Sequence, residues 1–363
     1  MTGFSFATET LDENAAAAAR RRIDALTKPV GSLGRIEALA VQLSAIAGRV
    51  VDRAYERKAV LIGAGDHGVT AQGVSAYPAE VTPQMVGAFL AGHAAINAFA
   101  RAVRADVYVA NFGVRTPCEP HELLIDAVVG HGTGNFGLLE PAMQPGEVLA
   151  ALVAGKAAFE NVLARAPYDV IALGDMGIGN TTSAAALVAA LTGADPASVT
   201  GRGTGVDDAR LARKREVVAR AVEALRAMTG SAAPDSSRVM LVASQVGGYE
   251  IVGLAGAIIA GMEHRIPIVL DGFIVAAAAL VAQRIAPAAI DFCIAAHCSQ
   301  EPGHRIALEA LGLEPLFDLE LRLGEGSGAA LALPLVEAAS RMISEMKTFA
   351  EAGVSGESES IPS

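Results

Sequence analysis

The sequence predicts an α/β protein: a largely parallel, Rossmann-like sheet flanked by helices, with a smaller helical lobe from the N- and C-terminal segments. Three observations carry this expectation. Short aliphatic runs alternate with Ala-rich segments of helical length, the pattern of βα units in a parallel sheet. Each run is continuously apolar, as a strand buried on both faces requires. Hydrophobic residues make up 52% of the chain and aromatics only 4%, which favours close helix-on-sheet packing over a β-sandwich with a large aromatic core.

Taken in order, residues 12–49 are Ala-rich with helix-like spacing, broken at Leu26–Arg35. There Pro29 and Gly31 mark a turn and Ser32 is a candidate cap for the next helix. Five βα segments follow: AVLIGAGDHG (59–68), ADVYVANFGV (105–114), YDVIALGDMGIGNTTSAAALVAAL (168–191), IPIVLDGFIVAAAALVA (266–282) and DFCIAAHCSQEPGH (291–304). Each run closes on polar or glycine residues. Ligands of parallel sheets bind beyond the carboxyl ends of the strands, so these ends are expected to share one cleft. This places a large α/β domain at 51–335 and the smaller lobe in 1–50 together with 336–350. The polar, Gly/Ser-rich tail at 351–363 is expected to be disordered.

The charge balance and the apolar runs exclude several classes. A net charge of −11 argues against nucleic-acid partners, which need a Lys/Arg surface. The runs Ile251–Met262, Gly272–Ala282 and Gly326–Val336 are each near half of the ~20 residues of a spanning helix. They read as buried helices, with no membrane partner. The start, MTGFSFATETLDEN, has no basic n-region and no apolar h-region. Cys118, Cys293 and Cys298 form no CxxC and suit free thiols in a reducing compartment, so a cytoplasmic location is expected.

Five stretches can carry chemistry. In Gly174–Leu187, Gly177 and Gly179 allow a tight turn that exposes N–H groups ahead of a helix opened by Thr181 and Thr182. A helix start of this kind binds phosphate; a plain βα turn capped by Asn180 or a Thr fits the pattern equally well. In Thr200–Val218, GRGTG offers further amides, and Lys214 can reach an anion held by both loops. By itself RLARKRE reads as a solvated helix face. Asp66-His67 and HCSQEPGH (297–304) contain metal-like residue types, but their spacing favours capped turns over a metal site. In RLGEGSG, Glu325 is a lone carboxylate between two glycines, with no basic residue on its C-terminal side.

These motifs occur in a telling order: KPVGSLGR, GDHGV, GVSAYPAEVT, GDMGIGNTT, GRGTG with a downstream Lys, VGGYEIVGLAGA, LDGFI, EPGH and LRLGEGSGAALALPL. Together they resemble the nicotinate-nucleotide–dimethylbenzimidazole phosphoribosyltransferase family, over about Asp24 to Ala338. The resemblance implies a two-domain homodimer that moves phosphoribose from nicotinate mononucleotide to 5,6-dimethylbenzimidazole. The products are α-ribazole 5′-phosphate and nicotinate, in the assembly of the lower ligand of cobalamin. It implies small-molecule partners only, no metal and no cofactor.

Residue by residue, the resemblance implies that Glu325 is the general base, with Asp175 as a second carboxylate. Phosphate and ribose binding falls on Gly177, Ile178, Gly179, Asn180 and Thr181, and on Gly203, Thr204, Gly205 and Lys214. The acceptor-base pocket falls on Tyr77, Gln84, Ser299 and Leu323. Two positions depart from the family pattern: Asp175 stands where relatives often carry Glu, and Asn111 where an acid is expected. A dinucleotide-dependent oxidoreductase competes poorly, because the first βα unit lacks GxGxxG. A non-catalytic nucleotide- or azole-binding protein and a different acceptor base (purine, phenol or substituted benzimidazole) remain as alternatives.

Overall fold

The computed structural model describes residues 6–229 and 236–355. Six strands form one sheet: β1 (Lys58–Gly65), β2 (Ala105–Gly113), β3 (Leu124–Asp126), β4 (Val170–Met176), β5 (Ile268–Leu270) and β6 (Cys293–Ala295). Their order is β3-β2-β1-β4-β5-β6 and every pairing is parallel. The sheet winds outward in both directions from β1 and β4. The strand order therefore reverses between these two, which opens a crevice at their carboxyl ends.

The helices are α1 (Glu13–Ala25), α2 (Arg35–Ala47), α3 (Val81–Leu90), α4 (Ala95–Val103), α5 (Pro145–Arg165), α6 (Asn180–Thr192) and α7 (Pro196–Val199). After them come α8 (Asp208–Thr229), α9 (Ser236–Val246), α10 (Tyr249–Glu263), α11 (Phe273–Ile285), α12 (Pro302–Leu311), α13 (Ser327–Glu345) and α14 (Phe349–Ala352). Backbone contacts divide the chain into two compact units, residues 1–9 with 57–332 and residues 10–56 with 333–363. The sheet and helices α3–α12 lie in the first unit.

Every residue of β1 is buried, so its apolar run reflects cover on both faces. Of the three apolar helices expected from the sequence, α10 and α11 are buried throughout over Tyr249–Met262 and Phe273–Ala282, whereas the third, in α13, has Pro334 exposed. Small residues let helices approach closely. A Cβ on Gly155 of α5 would lie 1.7 Å from the Gly253 carbonyl oxygen of α10. Val81–Val103 has the length and apolarity of a membrane span. The chain turns at 91–94, however, leaving α3 and α4 with ten and nine residues, each far short of the ~20 that a span needs.

The second unit holds α1 and α2, as the Ala-rich N-terminal segment predicts, together with α14. The cap of α2 differs from expectation. It is Gly34, with φ 51° and no side-chain bond, while Glu37 reaches back to Leu33 N at 2.9 Å. Residues 351 and 352 also differ, being helical rather than part of a tail. Thr348 and Glu351 form a reciprocal capping box (2.8 and 3.1 Å) that opens α14; residues 356–363 lie outside the described residues.

Candidate active site

Polar side chains gather at the carboxyl ends of the strands. Asp66 and His67 follow β1, Asp175 lies near the end of β4, Asp271 follows β5, and His297 and Ser299 follow β6. All are buried.

Glu325 arrives from the loop before α13. Its φ is 65°, between Gly324 at 84° and Gly326 at 87°. A non-glycine residue in this left-handed region costs on the order of 1–2 kcal/mol. Such strain persists only where surrounding structure holds it. Glu325 N donates to the Asp175 carbonyl at 3.3 Å, and Glu325 Oε2 accepts from Ile96 N at 3.4 Å, in the first turn of α4. Burial raises the Glu325 pKa, the Ile96 N–H opposes this, and the Asp271 carboxylate adds to it. Among the described residues, no cation lies within ion-pairing distance of Glu325. The group therefore has the makings of a base: buried, and with a raised proton affinity.

Asp175 lies beside it. Burial pushes its carboxyl well above the usual range, and Asp271, Glu250 and Glu325 push it further. The Asn180 side chain, donating to Oδ2 at 2.9 Å, pulls the other way. Asn180 thus spends its amide on Asp175, and the cap of α6 is Gly179 (φ 96°) without a side-chain bond.

The GDMGIGN loop is tied down on both sides. Ile178 N donates to Thr82 Oγ1 of α3 at 3.1 Å. Beneath the loop, His67 Nε2 and Glu250 Oε1 lie 2.6 Å apart, with both side chains fully buried. Lys214 Nζ donates to Thr181 Oγ1 at 2.8 Å and is 1% exposed. The solvated reading of this lysine is therefore wrong. Burial pulls its pKa down to about 8, while Glu301 pulls it back up. Glu301 Oε1 accepts from Gly203 N at 2.7 Å, fastening the GRGTG loop over Lys214.

One cavity brings together Asp175, Asn180, Thr181, Gly203, Thr204, Ser299 and Leu323, with Gly324 and His297. Lys214 borders it through Thr181, and Glu325 through its neighbour Gly324. A second cavity of about 430 Å³ shares Gly203, Glu301 and Arg322 and takes in Gly205. Tyr77 and Gln84 line neither; both are exposed, the first before α3 and the second on it. Gly177, Ile178 and Gly179 shape the loop behind the cavity rather than its wall.

A family model described as "Phosphoribosyltransferase" matches residues 8–354. A protein of Chloroflexus aggregans is 49% identical over 349 residues, 96% of each chain, and one of Thermus thermophilus is 50% identical over 345 residues, 95% of this chain and 99% of its own. Both carry the name nicotinate-nucleotide–dimethylbenzimidazole phosphoribosyltransferase. The chain belongs to this phosphoribosyltransferase family. A crystal structure of CobT from Thermus thermophilus superimposes with a TM-score of 0.88 at 50% identity, covering 94% of this chain and 99% of that one.

The family places an enzyme in this fold, and several of its buried polar groups escape a reading of the sequence. Glu301, Asp271, His297 and Glu250 leave little trace, because EPGH and LDGFI look like ordinary turns and Glu250 sits in an apolar helix. Lys214 carries a readable signal. Leu211, Lys214, Val217, Val218, Ala221 and Val222 recur at helical spacing and are all buried, so the lysine stands on the apolar stripe of α8. His304, in the metal-like stretch, accepts from Ser299 N at 2.8 Å. Burial drives its pKa down to about 3, with His297 and Arg305 adding to the effect, which leaves it a neutral acceptor.

Proposed function

We propose that the protein transfers phosphoribose from nicotinate mononucleotide to 5,6-dimethylbenzimidazole, giving α-ribazole 5′-phosphate and nicotinate for the lower ligand of cobalamin. The observation that carries this reading is Glu325, a buried, strained carboxylate without a cationic partner among the described residues, set beside the cavity lined by Thr181, Gly203 and Thr204. The relatives' names supply the substrates.

In this reading Lys214 and Thr181 hold the phosphate, with the GDMGIGN turn behind them and the GRGTG loop facing them at Gly203 and Thr204. The pyridinium leaves C1′ as a neutral ring and needs no acid. Positive charge builds on the sugar, and the carboxylate of Glu325 stabilises it, with Asp175, its own pKa raised, as the neighbouring acid. One benzimidazole nitrogen attacks C1′ as the other N–H becomes acidic, and Glu325 takes that proton. Attack opposite the leaving group turns the β-linkage into α. The chemistry calls for neither a metal nor a redox cofactor.

Ser299 and Leu323 wall the acceptor side, and the family resemblance adds Tyr77 and Gln84 to it. The same reading makes the protein a cytoplasmic homodimer acting on small molecules alone, without nucleic acid or membrane. The test is incubation with nicotinate mononucleotide and a panel of azoles, purines and phenols, read by mass spectrometry. Release of nicotinate with 5,6-dimethylbenzimidazole as the best acceptor supports the reading; binding without release contradicts it.

A further inference from the structure

The LDGFI stretch plays no part in the chemistry above, yet its aspartate is committed to the Glu325 loop. Asp271 is 1% exposed. Its Oδ2 accepts from Gly326 N at 3.1 Å and its Oδ1 from Ala329 N at 2.9 Å. These donors belong to the residue after Glu325 and to the first turn of α13, N–H groups that a helix start leaves without partners. The helix is thus capped from β5 rather than by a residue of its own loop.

His297 closes on the same turn. Its Nε2 lies 3.6 Å from Asp271 Oδ1, and its ring stacks on Phe317 with centroids 6.0 Å apart. The ring sits so close to Gly328 that a Cβ there would be 2.0 Å from Cδ2. The glycines flanking Glu325 leave its backbone loose, so its left-handed φ has to be imposed from outside.

We propose that Asp271, braced by His297, is the positioning residue for Glu325: it fixes the left-handed backbone that carries the Glu325 carboxylate beside the cavity. This rests on the reading of Glu325 as the base. The ionisable groups that act on that carboxylate are Asp271 after β5 and Asp175 on β4, with Glu250 on α10 acting on Asp175 in turn. After burial and the opposing Ile96 N–H, Asp271 also raises the Glu325 pKa. One side chain therefore holds the backbone of the base and adds to its proton affinity.

The test compares Asp271→Asn, Glu325→Gln and the unaltered protein in kcat and KM across pH. In Asp271→Asn, kcat is expected to fall about tenfold or more, with KM for the mononucleotide changed less than about twofold. The acid limb of kcat is expected to move to lower pH, because Glu325 loses a neighbouring negative charge. If Glu325→Gln is inactive while Asp271→Asn keeps its acid limb in place, the positioning proposal is overturned and the base reading stands. If Glu325→Gln keeps full turnover, the base reading itself is overturned. Should Asp271→Asn fail to fold, Asp271→Glu keeps the charge one methylene out of place. That variant is expected to lose kcat with the acid limb unmoved, and full kcat in it would overturn the proposal.

Discussion

The Glu325–Gly326 peptide rests on the α-carbon of Gly174. A Cβ at Gly174 would lie 2.5 Å from the Glu325 carbonyl carbon and 2.4 Å from Gly326 N. The first glycine of GDMGIGN therefore makes room for the backbone that carries the candidate base. Gly174→Ala is expected to cost about 1–3 kcal/mol by overpacking, and to lower kcat more than it raises KM. Thermal unfolding together with steady-state kinetics checks this. Unchanged kcat in a folded variant would separate Gly174 from Glu325.

Lys214 gives a pH signature. Its pKa stands near 8, below the usual lysine value, so its charge is lost as pH rises through about 8. The phosphate then loses its cation, and KM for the mononucleotide is expected to rise above that pH with kcat little changed. In Lys214→Ala the KM is expected to be high throughout and the step near pH 8 absent. Initial-rate measurements from about pH 6 to 9.5, bracketing that value, check this.

Asp175 gives a stability signature of opposite sense to that of an ordinary salt-bridged acid. Its folded pKa is raised, so above the usual aspartate range the folded state holds a proton that the unfolded state has released. Stability from this group is therefore present at low pH and declines as pH rises through the folded pKa. Asp175→Asn removes that decline. The melting temperature of the variant, measured against the unaltered protein, is expected to gain from about pH 5 to pH 8. A difference that is constant with pH would contradict the raised pKa.

Much of the fold could be read because buried parallel strands leave an unbroken aliphatic run. Five of the runs are β1, β2, β4, β5 and β6. β3 is missed because it has three residues, Leu124–Asp126, at the edge of the sheet, too few to leave a periodic signal. The loops GDMGIGN and GRGTG could be placed because clustered glycines mark a turn, and Gly179, Gly203 and Gly205 do adopt positive φ. What could not be read is pairing across distant segments: Glu301 with Gly203, Glu250 with His67, Asp271 with Gly326 and Ala329. Each joins residues 55 or more positions apart, and no local pattern records that two strand ends meet. Tyr77 and Gln84 show the reverse case, in which a motif supplies residues that the geometry leaves outside the cavity.

Whether Glu325 takes the proton from the attacking base is read most directly from the single-turnover rate of Glu325→Gln. Nicotinate mononucleotide and 5,6-dimethylbenzimidazole are both saturating, and the affinity of the variant for the mononucleotide is measured alongside. The expected rate is lower by about 10²–10⁴-fold, the typical worth of a general base, with mononucleotide affinity within about threefold. A rate within about tenfold of the unaltered protein, at the same affinity, would contradict the assignment of Glu325 as the base.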